Sequence, residues 1–108
     1  MAEILKVLGQ GNPVVNELAT LYSVPEGGFC TISSLVVCNR SSDLAHFRIS
    51  VAISNSTDSP EQYLYYDHEI FGNTTFVATI GITLSHTDTI RIYSSGNLSF
   101  HVYGIEVT

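Results

Sequence analysis

The stretch that most constrains the fold runs from Cys30 to Arg40, Cys-Thr-Ile-Ser-Ser-Leu-Val-Val-Cys-Asn-Arg. It opens as a polar and apolar alternation and becomes a continuous apolar run, Leu35-Val36-Val37-Cys38. An alternating strand covers a core with one face, whereas a continuous run needs cover on both. The stretch therefore reads as the central strand, with the others arranged around it.

Its two cysteines follow from the same reading. Eight residues of extended chain separate them by roughly 26 Å, and a disulfide needs Cα atoms less than about 7 Å apart. Cys30 and Cys38 share even parity with Ile32 and Val36, so both are expected as buried free thiols on one face. Without a matching histidine pair they do not make a zinc site.

Short β-like runs separated by turn residues occupy the rest of the chain. Residues 3–9 form a candidate first strand, ended by Gly9-Gln10-Gly11-Asn12-Pro13, and residues 1–12 a candidate extended N-terminal arm that could pair with a neighbouring subunit. Residues 14–24 match both periods and are read as strand, with room for a helical turn near Asn16, before the turn Pro25-Glu26-Gly27-Gly28. Asn39-Arg40-Ser41-Ser42-Asp43 has the chemistry of a hairpin turn. Residues 44–53 alternate, with Ala45, Phe47, Ile49, Val51 and Ile53 inward and His46, Arg48 and Ser50 outward. Ser54 to Gln62 is a polar loop in which Pro60 forbids a ladder bond. Strands follow over 63–67, 75–82, 88–93 and from Leu98 towards Val107, with Ser94-Ser95-Gly96-Asn97 as a tight turn. Seven or eight strands and no helix predict an all-β chain, one antiparallel β-sandwich or jelly-roll-like domain over residues 1–108.

Composition narrows the function. Across 108 residues, 44% are hydrophobic and only 13% charged, and mean hydropathy is +0.23. So small a domain has little interior, and apolar side chains left at its surface favour burial between subunits. The net charge is −6. Lys6, Arg40, Arg48 and Arg91 are the permanent cations, too few and too scattered for a phosphate-binding stripe or an anionic membrane. No segment has the length of a membrane-spanning helix, and the N-terminus lacks a secretory signal pattern, so synthesis in a cytoplasm is expected.

Candidate chemistry is sparse. Asp67-His68-Glu69, with His86 or His101 brought near, is the densest metal-like cluster, set against a plain strand end in water. His86-Thr87-Asp88 and the many serines lack a nucleophile elbow, so no enzyme is expected. His46 and His101 lie opposite the core positions and could make assembly pH-sensitive. Tyr63, Tyr65, Tyr66, Tyr93 and Tyr103 are candidates for core packing, a protein interface or a sugar platform. Asparagines 39, 55, 73 and 97 match the glycosylation pattern but read as polar turn chemistry.

Several segments come in a recognisable order: Leu21-Tyr22-Ser23-Val24-Pro25, Ile32 to Arg40, Phe47-Arg48-Ile49-Ser50-Val51, Tyr65-Tyr66-Asp67, Gly81-Ile82-Thr83-Leu84 with Asp88, and Leu98 to Glu106. From residue 18 onward the chain resembles small virion structural proteins of tailed bacteriophages, including those infecting cyanobacteria. The resemblance implies a β-sandwich capsid cement or decoration protein on the capsid surface, made in the host cytoplasm. Its implied partners are the major capsid protein and itself, with a homotrimer favoured over a dimer. It brings no catalytic residue, cofactor or metal to transfer. The alternatives are a neck, tail or fibre-attachment component and a glycan-binding module on the virion.

Overall fold

A computed structural model of the chain describes residues 3–108. It contains β1 (Glu3–Gly11), β2 (Ala19–Ser23), β3 (Phe29–Asn39), β4 (Ala45–Ala52), β5 (Tyr63–Ile70), β6 (Thr75–Ala78), β7 (Ile82–Leu84), β8 (Thr89–Ser94) and β9 (Leu98–Val107). One sheet has the order β1-β9-β3-β6, with β7 also on β3; the other has the order β2-β8-β4-β5. Every pairing is antiparallel.

The pairing is nested. β1 joins β9, β2 joins β8, β3 joins β6 and β7, and β4 joins β5, as in one long hairpin rolled into two sheets. That is the jelly roll. Among the described residues the strands number nine, because the expected strand over 75–82 is broken at residues 79–81 into β6 and β7, which pair with different parts of β3.

Nesting overturns two expected hairpins. The turns at 39–43 and 94–97 carry the chain from one sheet to the other, because β4 pairs with β5 and β8, and β9 with β1 and β3. Asn39 is 1% exposed and holds the first of these corners. Its Nδ2 donates to Asp43 O at 2.8 Å and Ile70 O at 3.1 Å, while its Oδ1 accepts from Ser41 N and Oγ, both at 3.0 Å. The turn at Pro25–Gly28 forms as expected: Gly28 N donates to Pro25 O at 3.0 Å, and Gly27 sits at φ +82°, the left-handed position of a type II turn. Residues 14–18, expected as strand, are not: the chain turns at Asn16, φ +65°, and β2 begins only at Ala19.

β3 is central, paired along its length with β9 and on its other edge with β6 and β7. Its faces differ from expectation. Ser33 is an extra residue, since Ile32 opposes Gly104 and Ser34 opposes Tyr103. Such a bulge exchanges the faces of everything beyond it. Cys30 and Ile32 point into the core before it; Leu35, Val37 and Asn39 do so after it. The two free thiols therefore lie on opposite faces, Cys30 buried and Cys38 half-buried. The apolar run is covered on its inner side alone, with Val36 and Cys38 on the outer face.

Gly104 accommodates this bulge. A Cβ there would lie 2.0 Å from Thr31 O and 3.0 Å from Ile32 Cα. On the other side of β9, Leu8 is extra at nearly the same level, between Val7 opposite Tyr103 and Gly9 opposite Val102. β1 is thus an edge strand of its own sheet, paired with β9 of the same chain, and residues 3–11 do not stand off as an arm; residues 1 and 2 of that expected arm lie outside the described residues.

The core between the sheets holds Phe47, Phe100, Ile32, Leu35, Ile49, Leu84, Ile90, Ile92, Leu98, Val37 and Val102, all essentially inaccessible. Inward alternation on β4 is as expected up to Ile49; Ser50, expected outward, is fully buried, Val51 is only half-buried, and Ile53 lies beyond the strand and is 71% exposed. On one flank, Tyr65 and His68 of β5 meet Phe76 of β6 across Phe47, with ring centroids 4.7–6.0 Å apart. The hydroxyl of Tyr22 on β2 donates to Glu106 Oε2 on β9 at 2.6 Å and so joins the two sheets.

Candidate functional site

The five tyrosines divide by location. Tyr65 belongs to the flanking aromatic stack and packs against the core. Tyr103 lies on the outer face of the first sheet. Tyr63, Tyr66 and Tyr93 gather on the outer face of the second, around Arg48.

Arg48 projects outward from β4, opposite Tyr93 of β8. Its guanidinium carbon lies 4.2 Å from the ring centroid of Tyr66 and 4.3 Å from that of Tyr93, so two aromatic rings stack on one cation. Arg48 Nε donates to Asp67 Oδ1 at 2.7 Å and Nη2 to Asp67 Oδ2 at 3.3 Å. This fork holds the Asp67 carboxyl below the usual carboxylate range and raises the Arg48 guanidinium. Asp67 can reach it because β5 bulges there. Ile49 opposes Tyr65 while Phe47 opposes His68, and Asp67 sits at φ +52°. Irregular pairing along β5 also puts Tyr63 and Tyr66 on one face despite their spacing, with centroids 5.1 Å apart, edge to face.

The 54–62 loop folds back as a wall. It contains short 3-10 turns at Ile53–Asn55 and Pro60–Gln62. Half-turned inward, Gln62 donates to Ser56 Oγ at 3.1 Å and Thr57 O at 2.9 Å. Tyr63 Oη donates to Asp58 Oδ1 at 2.9 Å; burial, then this bond, raises the Tyr63 hydroxyl. Between wall and sheet lies a cleft of about 570 Å³ lined by Arg48, Asp58, Ser59, Pro60, Tyr63 and Tyr66. A shallower hollow of about 440 Å³ continues past Arg48 towards Asp67, Glu69 and His46.

The first sheet presents a different outer surface. Leu5, Val7, Tyr103, Ile105, Val36 and Val77 face outward from four adjacent strands, with Leu5 79% and Val77 58% exposed. Of the ten acidic residues of the chain, only Glu3 occupies an outward position on these strands, at one corner.

No protein-family model matches the chain, and no curated protein does. Solved structures do. One is a chain in the structure of infectious bursal disease virus, Gx strain, with 13% identity and a TM-score of 0.52 over 97% of this chain and 30% of that one. Another is a pentameric capsid protein isolated from metagenomic phage sequences, with 16% identity and a TM-score of 0.43 over 93% of this chain and 60% of that one. The fold is one found in a virus structure. This chain spans less than a third of the first and three fifths of the second.

The other expected clusters come apart. Asp67 and Glu69 face outward, while His68, itself still exposed, lies against the rings of Phe47 and Phe76. Among the described residues no three His, Cys, Asp or Glu side chains converge as metal ligands. The Asp88 carboxylate accepts from Ser54 N and Ser85 N, both at 2.9 Å, rather than from His86. Among those residues no helix is long and apolar enough to cross a membrane. Sequence reasoning missed Arg48 and Asp58 as members of a site; the only signal for Arg48 was its outward parity on β4.

Proposed function

We propose that this chain is a virion structural protein of the capsid cement or decoration type, acting by adhesion. The observation that carries the reading is the uncovered outer face of the first sheet, where apolar side chains stand side by side and carboxylates are nearly absent. Such a face favours burial against a second copy of an acidic chain, since like charge is kept away from the contact. The jelly roll shared with a chain of a virus structure, and the resemblance to phage virion proteins, support the same assignment.

In this reading the chain self-associates, as a homotrimer in preference to a dimer, and each oligomer bridges neighbouring major capsid proteins. Several weak contacts linked in one oligomer give tight attachment. Tyr103 belongs to the adhesive face. Cryo-EM of a virion carrying the protein tests the proposal. Many symmetric copies on the shell are expected; absence from the head, with copies at the neck or tail, overturns the cement assignment.

A further inference from the structure

We propose that the cleft between the Tyr63–Tyr66 pair and the 58–60 segment binds a neutral saccharide. Its volume of about 570 Å³ falls in the range of small-molecule sites, about 300–1,000 Å³. Its walls supply apolar and polar surface together. Tyr66 has one ring face against Arg48 yet remains 61% exposed, and Pro60 adds a second apolar plane. Sugar rings present C–H faces that pack on such surfaces and hydroxyls at their rims.

The unmet hydrogen-bonding groups decide the ligand class. Arg48 uses Nε and Nη2 on Asp67, and its Nη1 has no partner among the described residues. Asp58 uses Oδ1 to accept from Tyr63, and its Oδ2 has none. The Tyr66 hydroxyl likewise has no partner among the described residues. The cleft thus offers a donor, an acceptor and a group that can be either. An anion would satisfy Arg48 but meet the Asp58 carboxylate, which lines the same cleft. A basic side chain would satisfy Asp58 but meet the like charge of Arg48, which lines the same cleft. Vicinal hydroxyls, which both donate and accept, satisfy all three.

The bonds already present hold the site in shape. Asp67 fixes Arg48, Asp58 fixes Tyr63, and Gln62 fixes the loop, so little ordering remains to be done on binding. The cleft lies on the sheet opposite the apolar face, so occupation of one face leaves the other open. The inference is independent of the virion reading.

Saturation-transfer NMR on the full chain tests it, with methyl α-glucoside, methyl β-galactoside, methyl α-mannoside and N-acetylglucosamine as probes and a Lys-Arg-Lys peptide as the cationic control. Saturable binding of at least one sugar is expected, weakened about tenfold, some 1.4 kcal/mol, by Tyr66→Ala and by the near-isosteric Asp58→Asn. Val77→Ser, on the opposite sheet, should leave it unchanged. Melting temperatures verify that each variant is folded, and Asp58→Asn carries the test if Tyr66→Ala is not. The proposal is overturned if no sugar saturates, if bound sugar ignores the cleft substitutions, or if the peptide binds in place of the sugars.

Discussion

Tyr22 on β2 donates its hydroxyl proton to Glu106 on β9 at 2.6 Å, while Lys6 Nζ on β1 stands 3.2 Å from the other carboxylate oxygen. One side chain of each sheet is therefore tied through a carboxylate that is 6% exposed. The Tyr22 bond, followed by Lys6, holds the Glu106 carboxyl below its usual range, and burial followed by the Glu106 bond pushes the Tyr22 hydroxyl up.

Replacing Tyr22 by Phe leaves that buried oxygen without its donor, which costs about 1–3 kcal/mol. Glu106 has a lowered folded pKa, so its contribution is present above the unfolded carboxylate value of about 4.3 and is lost as pH falls through the lower folded one. Tyr22 has a raised folded pKa, so its contribution is complete below about pH 10 and is lost as pH rises towards the folded value. Thermal melts across pH should therefore show wild type losing stability at both extremes. Tyr22→Phe should be less stable at neutral pH and flatter on the alkaline side; an unchanged alkaline slope would contradict the assignment.

Asn39 is the second point at which the sheets are tied. It makes four hydrogen bonds from a buried position and touches the backbone of β5 from the end of β3. Asn39→Ala removes the Nδ2 donor to the Asp43 and Ile70 carbonyls and the acceptor of Ser41 N, and is expected to cost about 2–3 kcal/mol. Urea denaturation measures it, and a loss below about 0.5 kcal/mol would make the corner a passive turn.

How legible was this architecture? The strands themselves were, wherever alternation survives, and β9 keeps it from Leu98 to Val107 without interruption. Pairing was not. Asn39 to Asp43 has the polar turn residues of a hairpin, and nothing local distinguishes a hairpin from a corner between sheets; that depends on β1 finding β9 at the far end of the chain. Face assignments failed where one strand carries an extra residue. Ser33 moves Cys38 to the face opposite Cys30, and the irregular pairing of β5 unites Tyr63 with Tyr66 while sending Tyr65 inward. Arg48 gained meaning only once two strands brought Tyr66 and Tyr93 to either side of it.

Gly104 carries the bulge. Gly104→Ala would place a methyl group 2.0 Å from Thr31 O, backbone against backbone, so β3 and β9 must separate locally. The expected cost is about 2–4 kcal/mol, with accelerated amide exchange at Thr31 and Ile32. Gly27→Ala, in a turn with open space around the missing Cβ, costs less, about 1 kcal/mol for the left-handed backbone alone. Equal losses at the two sites would argue against the bulge.

The outer face of the first sheet makes its own prediction, because Leu5 and Val77 are too exposed to support the core of one copy. Leu5→Glu and Val77→Glu should leave the melting temperature of the isolated chain within the effect of an ordinary surface change, about 0.5 kcal/mol. If the face joins copies, the same substitutions place charge in a closed contact and the oligomer dissociates, which sedimentation velocity reads directly. Cys38 lies on this face and Cys30 inside the core, where burial pushes its thiol up. A thiol reagent should therefore find one fast site in a Leu5→Glu monomer and a slowed one in the wild-type oligomer, with the other thiol unreactive in both until unfolding. A wild-type chain that sediments as a monomer, with Cys38 reacting as fast as in the variant, would remove self-association from the mechanism.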